Sequence, residues 1–109
     1  MQRQQELDNL SNEMNPKINN IEQDFMKKLQ IQQQDCANRY GGNESKFVEC
    51  FQNIEENSQK VIKRLEYRLQ FWRHQTYNCF SNEKANIEQC KQQARDNLDQ
   101  YARDSLREF

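Results

Sequence analysis

Glycine, proline and histidine are almost missing from this chain. Its 109 residues include two glycines, one proline and one histidine. The glycines stand together as Gly41-Gly42, so the sequence allows one clear reversal. A single histidine and the lack of any CxxC pair exclude the usual zinc patterns and a thioredoxin-like redox motif. There is no glycine-rich phosphate loop and no Ser/His/Asp set. An enzyme is therefore not expected, nor a cofactor, a metal or a small-molecule substrate. No apolar run approaches the roughly 18 residues of a membrane span. The first residues, MQRQQELDNL, lack both the apolar core of a signal peptide and the Arg/Ser-rich character of a transit peptide. Positive charge is not in surplus: a net charge of −1 and a pI near 5.9 argue against a nucleic-acid partner.

Apolar residues are scarce as well, 34% against 30% charged, with a mean hydropathy of −1.31. Asn and Gln supply about a quarter of the chain. Such a composition cannot fill a thick globular core. Yet the apolar residues recur at helical spacing and none alternate with period two, which predicts an all-α chain without strands. The longest periodic stretch joins Cys50 to Cys79 and contains no Gly or Pro. Phe47, Phe51, Ile54, Val61, Leu65, Leu69 and Trp72 form its stripe. In one continuous helix the two cysteines lie within about 20° of each other and roughly 43 Å apart.

Taken in order, residues 1–14 form an N-terminal arm with a weak stripe of Leu7, Leu10 and Met14. Asn15-Pro16 reads as a helix start, Asn as N-cap and Pro in the first turn. A first helix then covers about 16–38, with Ile18, Ile21, Phe25, Leu29 and Cys36 along one side. The arm is in phase with it, so a single helix bent before Pro16 is the other arrangement. The Gly-Gly turn permits left-handed conformations, and Asn43 or Ser45 caps a second helix over about 46–78. Ser81-Asn82-Glu83 makes the next break, capping a third helix over about 83–109. Its stripe is Ile87, Cys90, Ala94, Leu98, Tyr101, Leu106 and Phe109. One single helical domain over 1–109 results: an elongated antiparallel hairpin or three-helix bundle.

Four cysteines allow three disulfide pairings. Bonding requires Cα atoms within about 7 Å, which Cys50 and Cys79 on one helix cannot meet. An antiparallel first helix brings Cys36 to Cys50, leaving Cys79 for Cys90. The midpoint of the first pair falls at position 43, beside the Gly-Gly turn. In that register Phe25 faces Val61, Ile21 faces Leu65 and Met14 faces Trp72. In the second pair's register Leu98 lies opposite Phe71 and Ala94 opposite Gln75, a poorer match. Four reduced thiols in a cytosolic coiled coil are the alternative.

QQDCANRY…KFVECFQNI resembles the inner half of a twin CxxxC hairpin of the mitochondrial intermembrane space. The "family with sequence similarity 136" group, with two such hairpins in series, is the nearest resemblance; the small Tim chaperones, with one, come next. The likeness covers about residues 25–95. Where outer cysteines would stand, this chain has Gln32, Ile54, Gln75 and Ala94, so only the four cysteines carry over. The resemblance implies import into, and oxidation within, the intermembrane space, peripheral to the inner membrane.

Aromatic residues are dense near the end of the second helix: Tyr67, Phe71, Trp72, Tyr77 and Phe80. Phe71 and Trp72 are neighbours and point about 100° apart, so one face cannot hide both. Tyr67, Phe71, Trp72 and Tyr77 are the expected partner-binding residues, since aromatic and Arg side chains anchor interfaces. Lys63, Arg64, Arg68 and Arg73 are expected to form a solvated basic face paired with Glu66 and its neighbours, with room for peripheral membrane contact. His74 is expected on the helix surface, and the Gln30–Gln34 run carries no function. The expected role is a non-catalytic structural or accessory subunit of a respiratory-chain-type membrane complex, with other subunits as partners. A soluble chaperone or assembly factor of that compartment is the alternative, and a cytosolic coiled-coil interaction protein trails both.

Overall fold

A computed structural model describes residues 2–109, leaving Met1 outside. Three helices fill it: α1 (Gln2–Tyr40), α2 (Glu44–Ser81) and α3 (Ile87–Glu108). There is no strand among the described residues. The molecule is a rod of 62 × 18 × 17 Å.

The expected helix start at Asn15-Pro16 is absent: α1 runs through Pro16 as one helix, the other of the two arrangements the sequence allowed. Proline removes one N–H and frees the carbonyl four residues back. Pro16 and Asn12 are both exposed, so water reaches that carbonyl. The inward residues Leu7, Leu10, Met14, Ile18, Ile21 and Phe25 meanwhile keep the two halves on one core. The N-terminal arm is therefore the first part of the bundle.

The reversal after α1 is the predicted one, but its glycines act differently from expectation. Neither has a positive φ. Gly41 is needed for space, because a Cβ there would stand 2.6 Å from the Ala37 carbonyl oxygen. Asn43 caps α2, its side chain accepting from the Lys46 amide at 3.2 Å. α2 then extends to Ser81, and α3 starts only at Ile87, later than expected. Its cap is Asn86, which accepts from the Glu88 and Gln89 amides.

Both disulfides join the expected pairs. The Cα atoms of Cys36 and Cys50 are 5.9 Å apart, those of Cys79 and Cys90 5.7 Å. No cysteine among the described residues is free.

One cluster forms the core: Leu10, Met14, Ile18, Ile21 and Phe25 from α1; Val61, Leu65, Leu69, Trp72 and Phe80 from α2; Cys90, Ala94, Leu98 and Phe109 from the last segment. α3 is too short to follow the hairpin to its turn. Phe109 stops against the Phe25 ring, 5.4 Å between centroids, and its carbonyl accepts from Gln32 Nε2. Beyond that point α1 and α2 continue alone. Between residues 33 and 57 Cys36 is the one buried side chain. Phe47, Phe51 and Ile54, expected in the core stripe, are only half-buried there, with Phe47 and Phe51 stacked at 5.0 Å. The Cys36–Cys50 bond thus holds a two-helix tip that has almost no core of its own.

Candidate functional site

α2 has two faces. The inward one buries Ser58, Val61, Leu65, Leu69, Trp72, Thr76 and Phe80, at helical spacing. The outward one carries Tyr67, Phe71 and Tyr77, which remain 59%, 54% and 58% exposed. At about 100° per residue these three fall within about 120°, roughly opposite the buried stripe. Few large apolar side chains elsewhere stand out so far; among the described residues the others are Met26, Ile31 and Val48, spread singly.

Trp72 does not belong with the exposed three. It is buried, and its Nε1 donates to the Ala94 carbonyl oxygen at 2.7 Å. Thr76 Oγ1 donates in turn to the Trp72 carbonyl. Ala94 is small enough to let the indole edge reach the α3 backbone. This contact rotates α2 so that Trp72, and not Phe71, meets α3. The expected facing of Phe71 with Leu98 and of Gln75 with Ala94 is replaced accordingly. Leu98 is fully buried, and Gln75 Oε1 accepts from the Tyr101 hydroxyl at 3.0 Å.

Beside the exposed aromatics a groove of about 260 Å³ runs between α1 and α2, lined by Leu7, Leu10, Ser11, Trp72, Arg73, Thr76 and Tyr77. Leu7 and Tyr77 also border the next depression, toward Arg3 and Phe80. The sequence reading missed Leu7 and Leu10 as neighbours of the aromatic cluster. Their phase with the α1 stripe was the available signal, and an arm ending at Pro16 hid it.

The basic residues divide into two groups. Arg68 donates to Ser105 Oγ at 2.8 Å and to Glu108 Oε1 at 2.7 Å. Arg64 Nη1 lies 3.3 Å from Glu108 Oε2. These arginines therefore clamp the end of α3, and their partner is Glu108 rather than the expected Glu66. The Arg68 guanidinium, with Arg64 behind it, holds the Glu108 carboxyl below the usual carboxylate range. Arg64, beside Glu108 Oε2, lowers its pKa further. Lys60, Lys63 and Arg73 make no ion pair or side-chain hydrogen bond among the described residues.

His74 is exposed and shares a hydrogen bond with Asn78, at 3.1 Å. No three His, Cys, Asp or Glu side chains gather as a metal site among the described residues. Among the described residues no helix is long and apolar enough to cross a membrane. What the outer face of α2 offers is hydrophobic area and positive charge on a rigid support. No protein family, curated protein or solved structure matches this chain.

Proposed function

We propose that this chain is a non-catalytic structural or accessory subunit of a mitochondrial membrane complex, of respiratory-chain type, placed on the intermembrane-space side. The observation that carries the reading is the exposed aromatic face of α2. Tyr67, Phe71 and Tyr77 stand on a rigid helix whose far side already fills the core. Exposed aromatic area of this kind marks a contact surface. Two closed disulfides in a thin helical rod suit an oxidising compartment. The groove between α1 and α2 supports the second reading, a soluble chaperone or assembly factor that receives an apolar segment of a client.

The test is migration of the native chain in a detergent-solubilised native gel. The Phe71→Ala and Tyr77→Ala variants are expected to leave the large complex while keeping the wild-type melting temperature. Wild-type chain that never migrates with a large complex, or variants that stay in it, would remove the subunit reading. A substoichiometric, exchanging association would select the assembly factor.

A further inference from the structure

Charge is segregated along α2. Residues 44–56 carry Glu44, Glu49, Glu55 and Glu56 against Lys46. Between residues 57 and 81 the one acidic side chain is Glu66, against five Lys and Arg. Glu108 engages Arg64 and Arg68, which leaves Lys60, Lys63 and Arg73 available. Lys60 and Lys63 lie on the same stripe as Tyr67, Phe71 and Tyr77; Arg73 and the acidic Glu66 border it. The stripe spans residues 60–77, roughly 26 Å of helix.

We infer that this basic aromatic stripe is a docking surface for an anionic lipid bilayer. The inference rests on the reading of α2's outer face as the contact surface of a membrane-associated component. Two features favour lipid over an acidic protein. The stripe runs along one face of a single helix, so its rings and ammonium groups enter a headgroup layer together, as those of an interfacial helix do. Its large residues are two tyrosines and a phenylalanine beside lysines. Such side chains settle at headgroup depth, apolar body inward and polar tip in water. The acidic first third of α2 then fixes orientation. An anionic surface attracts the 60–77 stretch and repels 44–56, so the rod tilts, with the Cys36–Cys50 tip held away from the bilayer.

The experiment is co-flotation of the full oxidised chain with vesicles of phosphatidylcholine alone or of phosphatidylcholine mixed with phosphatidylglycerol. Binding is expected only to the mixed vesicles and is expected to fall as salt is added. At about fivefold per cation, Lys60→Gln with Lys63→Gln weakens it roughly thirtyfold. Phe71→Ala weakens it without a change in melting temperature. Equal binding to both vesicles, no binding at low salt, or full binding by the lysine double variant overturns the inference. Vesicles left unbound by a chain that Phe71→Ala still releases from its complex would discard lipid and keep a protein interface. Vesicle binding by a chain absent from any large complex would do the reverse.

Discussion

Trp72 illustrates how a single side chain can belong to the core while its neighbour belongs to the surface. Its ring is buried and its N–H is satisfied by a backbone carbonyl of α3. Trp72→Ala removes that volume and leaves a cavity between all three helices. A loss of about 3–5 kcal/mol is expected in denaturant unfolding. Phe71→Ala, one position away, is expected within about 0.5 kcal/mol of wild type, as for an exposed site. Equal losses at the two positions would contradict this division of the helix. Glu108 gives a residue-scale prediction in pH. Its carboxyl is held below the usual range chiefly by the hydrogen bond from Arg68. A depressed folded pKa contributes stability above the unfolded value, and that contribution is lost as pH falls through the folded one. Wild type should therefore melt higher than Glu108→Gln near neutrality, with the gap closing on acidification. A gap independent of pH would show that the Arg68–Glu108 contact is not the cause.

At the scale of elements, each helix junction carries a disulfide, and the second adds a further device. The first reversal depends on Cys36–Cys50, because the tip beyond Phe109 has almost no buried side chain. Replacing both cysteines with serine should cost about 3 kcal/mol. Amide exchange should accelerate mainly across residues 33–57, with protection around Leu65 and Leu98 retained. Uniform loss of protection would mean that the tip and body unfold together. The second junction is held by Cys79–Cys90 and by Arg3. Its guanidinium donates to the carbonyls of Phe80, Asn82, Glu83 and Ala85, at 2.8–3.4 Å. The start of α1 thus secures the α2–α3 connection across 77 or more residues of sequence. Arg3→Ala should destabilise by about 1–3 kcal/mol. Arg3→Lys should recover little, since an ammonium cannot span four carbonyls as the planar fork does. Full recovery by lysine would reduce the contact to one of charge.

At the scale of the molecule, stability comes from length and from staples. Ion pairs between α1 and α3 add registration along the rod: Glu13 with Arg95, at 2.7 Å, and Glu6 with Lys91. Both are partly solvated, so they align the helices more than they strengthen them. Non-reducing peptide mapping of the native protein should recover Cys36 linked to Cys50 and Cys79 linked to Cys90. Free thiols would return the chain to the reduced coiled-coil reading and remove the compartment with it.

Periodicity, the single Gly-Gly pair and the cysteine positions were enough to determine the helical class, the first reversal and both disulfide pairs. Each of these follows from local chemistry or from the reach of a covalent bond, and so is written in the order of residues. The continuity of α1 was legible only as one of two arrangements. Proline's local preference points to a boundary there, and only the core contacts on either side of it override that preference. The rotation of α2 was hidden for a related reason. The α2 stripe puts Trp72 in line with Val61, Leu65 and Leu69, but the second disulfide's register sets Phe71 against Leu98, so each of the two neighbours has a partner across the bundle on sequence grounds. The Ala94 carbonyl, reached only when α3 packs, draws Trp72 inward and leaves Phe71 facing out. The bare tip was likewise decided by the tertiary structure. Phe47, Phe51 and Ile54 carry a core-like spacing, but α3 ends at Phe109 before reaching them, and spacing alone cannot state what lies opposite.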